Sequence, residues 1–225
     1  MSYEFNSYPD REMLVIALAD RIAGELRGAL ARAERVTMAV PGGTSPGPVF
    51  DDLCDVELDW HRVDVMLTDE RWVPEDHDRS NTRLLRDRLL VGKAAAARLL
   101  PMYLPCREPE ERLEELAETI RPNLPLSIVL LGMGTDMHTA SLFPGADTLR
   151  DALSRNAPIL MPVRAPGADE PRVTLTAPVL GGALSKHVLI FGEEKRAALE
   201  GARGKSAEDA PINAILDGAQ VHWAA

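Results

Sequence analysis

Apolar residues near the start of the chain recur at every fourth position, which is the spacing of one buried helix face. These residues are Leu14, Leu18, Ile22, Leu26 and Leu30. The pattern predicts a helix over residues 10–33, with Asp10 capping its first turn. Similar but shorter patterns predict further helices at residues 49–53, 80–89, 110–120 and 193–201, and one after residue 178.

Short runs of apolar and β-branched residues lie between these helices and predict strands. The strands are predicted at residues 36–40, 63–68, 126–131, 159–163, 173–176, 187–191 and 221–223. Alternating strands and helices indicate an α/β fold, with a mostly parallel sheet and helices on both faces. The chain shows no repeat or linker, so we expect residues 1–225 to form one domain.

The charge balance narrows the classes of partner. Lys and Arg number 25 and Asp and Glu number 35, which gives a net charge of −10. Such a chain is a poor general binder of nucleic acid, and it binds an anion only where cations are gathered locally. It has no apolar run long enough to span a bilayer and no secretory signal, and its two cysteines make no disulfide framework. We therefore expect a cytoplasmic protein without membrane contact; its oligomeric state stays open.

Three polar segments, two of them glycine-rich, directly follow predicted strands. They are residues 41–47 (PGGTSPG), 69–81 (DERWVPEDHDRSN) and 132–145 (GMGTDMHTASLFPG). In open α/β sheets, ligands bind at the carboxyl ends of the strands. The shared position of these segments therefore predicts that they form one site.

The first two segments carry groups suited to binding an anion. Gly42, Gly43 and Thr44 can offer backbone and hydroxyl donors, although an ordinary tight turn before a proline explains the same residues. Arg71 can bind a phosphate in a bidentate manner. Equally, the charges of Asp69, Glu70 and Arg71 can form a structural ion pair and a helix cap.

The third segment contains His138, with Asp136, Thr139 and Ser141 close by in sequence. An imidazole can take a proton from water near neutral pH, so this residue is a candidate general base, although a lone histidine is more often structural. Met137 stands where a dinucleotide fingerprint needs glycine. No histidine, cysteine or carboxylate cluster has metal-ligand spacing, so we expect a hydrolysis that needs no cofactor.

Two further cations lie at element ends. Arg172 precedes the strand at 173–176, and Lys195 lies at the start of the helix at 193–201. A cation at a helix start opposes the helix dipole and costs stability unless it meets an anion, although nearby glutamates can balance Lys195. The remaining histidines lack polar neighbours of this kind and are interpreted as structural: His61, His77, His187 and His222.

Taken together, these segments resemble the 6-phosphogluconolactonase family. The resemblance rests on PGGTSPGPVF, on LTDERWVP followed by Ser80 and Asn81, and on LLGMGTDMHTASLFPG, PRVTLTAPVL and FGEEKRAAL. These motifs occur in the family's order and cover most of the chain, and the combination of DERWVP with HTASLFPG is highly specific.

The resemblance implies a modified doubly wound α/β fold shared with sugar-phosphate isomerases and deaminases. It also implies hydrolysis of 6-phospho-D-glucono-1,5-lactone to 6-phosphogluconate in the oxidative pentose phosphate pathway. His138 would be the general base, and Asp69 would orient the substrate or the base. The phosphate and sugar would be bound by Gly42, Gly43, Thr44, Arg71, Arg172 and Lys195.

The chain departs from the family's pattern beside the histidine and in the glycine loop, where Pro41 also takes a place usually held by serine. Met137 replaces the usual glycine before the histidine, and because glycine alone holds a positive φ at low cost, the local backbone is expected to differ. The order Thr44–Ser45 leaves open which hydroxyl meets phosphate. Two rival functions are a glucosamine-6-phosphate deaminase, whose family has DEY and FNEP patterns that this chain lacks, and a sugar-phosphate sensor without catalysis, against which His138 argues.

Overall fold

The computed structural model describes residues 2–165 and 169–225. Its strands are β1 (Glu4–Ser7), β2 (Val36–Val40), β3 (Val63–Leu67), β4 (Asp69–Arg71), β5 (Arg98–Leu99), β6 (Ile128–Gly132), β7 (Leu160–Val163), β8 (Arg172–Leu175), β9 (Ser185–Phe191) and β10 (Gln220–Ala224). Its α-helices are α1 (Arg11–Leu30), α2 (Gly47–Leu53), α3 (Asn81–Arg88), α4 (Leu113–Ile120), α5 (Leu149–Leu153), α6 (Ala177–Gly181) and α7 (Glu193–Gly201).

The main sheet has seven parallel strands in the order β1-β10-β9-β6-β2-β3-β5. Every residue of β2 and β3 is buried, as expected for strands covered on both faces. This confirms the α/β fold with a mostly parallel sheet. From β2 the chain winds to β3 and β5, whereas from β6 it winds the other way, to β9 and β10. The loops after β2 and β6 therefore leave the sheet at its topological switch point, where ligands of this architecture bind.

A second, antiparallel sheet joins β4, β8 and β7. Both β7 and β8 were predicted as strands, whereas residues 69–71 were assigned to a polar loop. Charged residues are depleted in strands, and three residues are too short for an alternating pattern to show. Within this small sheet, β4 follows β3 directly in sequence, and β4 and β8 carry Arg71 and Arg172, two of the predicted cations.

The first helix follows its prediction closely. The Asp10 side chain accepts a hydrogen bond from the Met13 backbone N–H at 2.8 Å and caps α1. The five apolar residues at four-residue spacing are all buried, and the helix packs against α2, β2, β6 and β10. Among the helices of residues 2–165 and 169–225, none combines the length and the hydropathy needed to cross a bilayer.

Candidate active site

One cavity at the carboxyl ends of β2 and β6 is lined by all eight residues singled out from the sequence. They are Gly42, Gly43, Thr44, Asp69, Arg71, His138, Arg172 and Lys195. The lining also includes Ser45, the predicted alternative to Thr44, and it includes Asn81 and Gly134, which lie in the predicted segments but were given no role of their own. The structure thus brings the three polar segments together with β8 and α7, and the roles of the individual residues stay predictions.

His138 is held by a tight turn that follows β6. Its Nδ1 lies 2.5 Å from Oδ1 of Asp136, and its backbone N–H donates to the same oxygen at 3.2 Å. A Cβ at Gly134 would overlap both side chains, so only glycine leaves room for this pair. When Asp136 is ionised, the Nδ1 proton is fixed on the aspartate side, and Nε2 is left as the nitrogen that can take a proton.

Met137 has a φ of +69°, in the left-handed region that favours glycine. The backbone therefore reaches a positive φ although a methionine occupies the position. Backbone hydrogen bonds hold it on both sides, from its own N–H to the Gly134 carbonyl at 3.0 Å and from the Ile212 N–H to its carbonyl at 3.1 Å. A non-glycine residue in this region costs roughly 1–2 kcal/mol, so the surrounding contacts compensate for strain beside the candidate base.

Asp69 is buried on β4, and its hydrogen bonds and ion pair among the described residues do not involve His138. Its carboxylate accepts hydrogen bonds from the Ser141 hydroxyl at 2.5 Å and from the Thr68 hydroxyl at 3.1 Å. Arg172 approaches it at 3.9 Å. Of the two tasks predicted for Asp69, orienting the base is not supported, because the carboxylate hydrogen-bonded to His138 is that of Asp136. Orienting the substrate stays a prediction for Asp69.

Arg71 and Arg172 face each other directly across β4 and β8. The Nε atoms of both guanidinium groups are buried without a hydrogen-bond partner among the described residues. Burial lowers the pKa of Arg172, and nearby Asp69 only partly opposes that effect. Two like charges with unused donors next to a cavity are costly in an empty protein, and they match an anionic ligand.

Lys195 lies in the first turn of α7 and lines the same cavity. Burial lowers its pKa. Within the described residues no carboxylate pairs with it, and Glu200 instead binds Arg196 at 3.3 Å. The alternative that neighbouring glutamates balance Lys195 is therefore not supported by an ion pair.

The glycine loop after β2 is shaped by close packing. Gly43 has a φ of +84°, which requires glycine-like backbone freedom. A Cβ on Gly42 would overlap the side chain of Asn81. Because both Thr44 and Ser45 line the cavity, either hydroxyl is within the candidate anion site.

Two of the histidines interpreted as structural form a buried hydrogen-bonded chain away from this cavity. Tyr8 contacts Nδ1 of His222 at 2.9 Å, Nε2 of His222 contacts His187 at 3.1 Å, and His187 contacts Glu25 at 2.9 Å. Burial lowers the pKa of His222 to about 3, so it stays neutral at physiological pH. The part of the chain that the structure describes has no group of three His, Cys, Asp or Glu side chains placed to hold a metal ion.

Residues 9–223 match the family described as glucosamine-6-phosphate isomerases/6-phosphogluconolactonase, and the chain belongs to this family. Within it, the similar curated proteins are named 6-phosphogluconolactonase. The protein of Mesorhizobium japonicum is 41% identical and the alignment covers 99% of this chain and 96% of that protein; for Rhizobium meliloti the identity is 40% with both chains fully covered.

Solved structures agree with this assignment. The crystal structure of a 6-phosphogluconolactonase from Shewanella baltica has a TM-score of 0.95 and 30% sequence identity, covering 100% of this chain and 98% of that one. The fold and these relatives make the protein an enzyme of the lactone hydrolase class.

Proposed function

We propose that this enzyme hydrolyses 6-phospho-D-glucono-1,5-lactone to 6-phospho-D-gluconate, a step of the oxidative pentose phosphate pathway. One observation carries the proposal: an imidazole paired with a carboxylate shares a cavity with three cations that lack full counter-charges. The imidazole suits activation of water, and the cations suit a phosphorylated substrate. The names of the relatives supply the identity of the lactone.

In this proposal, Nε2 of His138 removes a proton from water as the water oxygen attacks the lactone carbonyl carbon. Asp136 keeps the other imidazole proton on Nδ1 and stabilises the imidazolium that forms. Arg172 or backbone donors stabilise the oxyanion. When the bond between the carbonyl carbon and the ring oxygen breaks, the imidazolium returns its proton to that oxygen, so one water is consumed and one acid is formed.

The phosphate group is assigned to the loop of Gly42, Gly43 and Thr44 together with Arg71, Arg172 and Lys195. The unpartnered Nε atoms of both arginines support this assignment, because a bound phosphate would supply the acceptors they lack. Asp69 is assigned to the substrate's hydroxyl groups. Its buried position beside Arg172 supports a fixed orientation of the carboxylate.

No cofactor enters this reaction, because water, a base and fixed positive charge suffice for lactone hydrolysis. We therefore propose activity that chelators leave unchanged, and a partner set limited to the small substrate, without nucleic acid. We also propose a cytoplasmic location, which agrees with Cys54 and Cys106 being free thiols.

The test is turnover of freshly prepared lactone, measured above its spontaneous hydrolysis. Arg71→Ala should weaken substrate binding about 10- to 100-fold, since a charge-assisted hydrogen bond contributes roughly 1.5–3 kcal/mol. Absence of turnover with intact binding of 6-phosphogluconate would favour a non-catalytic sensor. Release of ammonia from glucosamine 6-phosphate would instead favour the deaminase branch of the family.

A further inference from the structure

Glu70 is a fully buried carboxylate that takes no part in the reaction described above. It lies on β4 between Asp69 and Arg71, which both line the cavity, whereas Glu70 itself does not. A buried carboxylate is costly unless its oxygens are hydrogen-bonded. The hydrogen-bond partners of Glu70 therefore indicate its role.

Five donors surround the two carboxylate oxygens, and none of them is a cation. One oxygen accepts from the backbone N–H groups of Arg71 and Asn81, both at 2.8 Å. The other accepts from the Thr82 N–H at 2.7 Å, the Thr82 hydroxyl at 2.8 Å and the Ser80 hydroxyl at 3.2 Å. Burial raises the pKa of Glu70 in spite of these bonds. The carboxylate thus ties β4 to the start of α3 without the help of an ion pair among the described residues.

The segment that Glu70 holds also fixes Arg71. The Glu70 oxygen that accepts from Asn81 also accepts from the Arg71 N–H. The Arg71 guanidinium donates to the carbonyl of Arg79 at 2.5 Å. Arg79 directly precedes the residues bound by Glu70. Glu70 therefore links the Arg71 backbone to residues 80–82, and Arg79 holds the guanidinium of Arg71.

The glycine loop is linked to Glu70 through Asn81. The Asn81 side chain donates to the Asp69 carbonyl at 3.1 Å, so it has little freedom to move, and it fills the space beside Gly42. The N–H of Asn81 is bound by Glu70. A change at Glu70 consequently reaches the loop after β2 as well as Arg71.

We propose that Glu70 is the positioning residue of the phosphate subsite, holding Arg71 and the Gly42–Gly43 loop in the arrangement that receives the phosphate group. The inference rests on the proposed function, and it is specific about the part of the substrate concerned. It predicts that loss of the carboxylate impairs recognition of the phosphate and spares the chemistry at the lactone carbonyl.

Glu70→Gln is the direct test, because the amide has nearly the same shape but turns a donor toward backbone N–H groups. We expect KM for the phosphorylated lactone to rise about tenfold, equivalent to about 1.4 kcal/mol, while kcat stays within about twofold of wild type. The ratio kcat/KM for unphosphorylated glucono-1,5-lactone should stay unchanged. Calorimetry should show weaker binding of 6-phosphogluconate by the same factor.

Asp64→Asn is the matched control, since Asp64 is also a fully buried carboxylate and lies on β3, but far from the cavity lining. It should lower stability and leave the kinetics of both substrates unchanged below the unfolding temperature. If Glu70→Gln does not fold, Thr82→Val removes one hydroxyl donor alone and should raise KM about threefold, the low end for one hydrogen bond.

Equal losses for the phosphorylated and unphosphorylated lactones, or no loss for either, would overturn the role of Glu70. Failure of the wild-type enzyme to hydrolyse the phosphorylated lactone would instead refute the proposed function. In that case the binding of 6-phosphogluconate to the two proteins still decides the role of Glu70: equal affinities overturn it and weaker binding by the variant supports it.

Discussion

The two ends of the main sheet treat buried charge in opposite ways. Near the amino end, Asp64 on β3 is bound by Arg35 at 2.5 Å and by Arg98 at 2.7 Å. At the carboxyl end, Arg71 and Arg172 keep buried donors without partners among the described residues. The protein thus satisfies its buried charge at one end by itself. At the other end it holds cations with unpartnered N–H groups, which suit an anionic ligand.

The pKa shifts show the same contrast. Burial alone would raise the pKa of Asp64, but its hydrogen bonds to Arg35 and Arg98 outweigh that effect and lower it. For Arg172 and Lys195 burial is the largest influence, and their pKa values fall. The charged form is favoured at the first end and disfavoured at the second. We therefore expect the charges that stabilise the fold and those that bind the ligand to lie near opposite ends of the main sheet's strands.

The largest expected effect is on catalysis at the carboxyl end. It comes from a substitution that leaves the buried charges at both ends unchanged. His138→Asn should fold and bind 6-phosphogluconate like wild type, yet lose roughly 10²–10⁴-fold in kcat, the usual contribution of a positioned base. Steady-state kinetics and calorimetry test the two halves of this expectation. A folded variant with near wild-type turnover would remove His138 from the mechanism and leave Asp69 or Asp136 as the base.

The next effect is on stability at the amino end. Asp64→Asn should lower the free energy of unfolding by about 3 kcal/mol, the low end of the range for breaking a buried pair, because water can still reach Arg35 and Arg98. Urea unfolding measures this value. Wild-type stability in this variant would mean that the ion pairs at this end do not hold the sheet, and the contrast between the two ends would fail.

Lys195→Met, at the carboxyl end, should weaken substrate binding without lowering stability, which is the reverse of the result expected for Asp64→Asn. Substrate binding should weaken about tenfold, since one charge-assisted bond of roughly 1.5 kcal/mol is lost. The free energy of unfolding should stay the same or rise, because a half-buried cation that pairs with no carboxylate among the described residues is removed. Loss of stability together with unchanged KM would show that Lys195 is structural.

The smallest effect compares the pH dependence of two buried carboxylates. The pKa of Glu70 is raised in the folded protein, so its contribution to stability is largest below the unfolded pKa and falls as the pH rises through the folded pKa. The pKa of Asp64 is lowered, so its contribution is present above the unfolded pKa and is lost as the pH falls through the folded pKa. Each slope is at most about 1.4 kcal/mol per pH unit.

Urea unfolding of wild type, Glu70→Gln and Asp64→Asn between about pH 3 and about pH 7 separates the two contributions, since the unfolded carboxyl groups titrate near pH 4. The wild-type advantage over Asp64→Asn should grow with pH at the acid end of this range. The advantage over Glu70→Gln should shrink with pH above the unfolded pKa of glutamate. Slopes of the same sign would refute the contrast between a carboxylate bound by arginines and one bound by neutral donors.

The sequence predicted those parts of the fold whose periodicity is long enough to read. Helix α1 and strands β2, β3 and β9 follow from apolar spacing and were found where expected. Strands β1, β4 and β5 and helix α5 were not predicted, because each is short and none is a continuous apolar run like β2 or β3. The small antiparallel sheet was missed for this reason.

For the site, strand-end position predicted that the groups on residues 41–47, 69–81 and 132–145 would meet, and the family resemblance added Arg172 and Lys195; all eight residues line one cavity. Sequence position did not indicate which side chains support them. Asn81 and Glu70 act through contacts made across two elements, which no local pattern records. Asp136 was noted beside His138, but the hydrogen bond that makes it the partner of the base depends on the turn at Gly134.

The register of the small sheet places Arg71 directly opposite Arg172. Like charges at such a position push the two strands apart, so β4 and β8 should open more readily than the core strands β2 and β3. A dianion bound as proposed would attract both arginines and so offset their mutual repulsion. In the free protein the amide hydrogens of the small sheet should therefore exchange rapidly with solvent, and occupancy of the site should slow that exchange. Ligand binding is therefore expected to stabilise the pairing of β4 with β8.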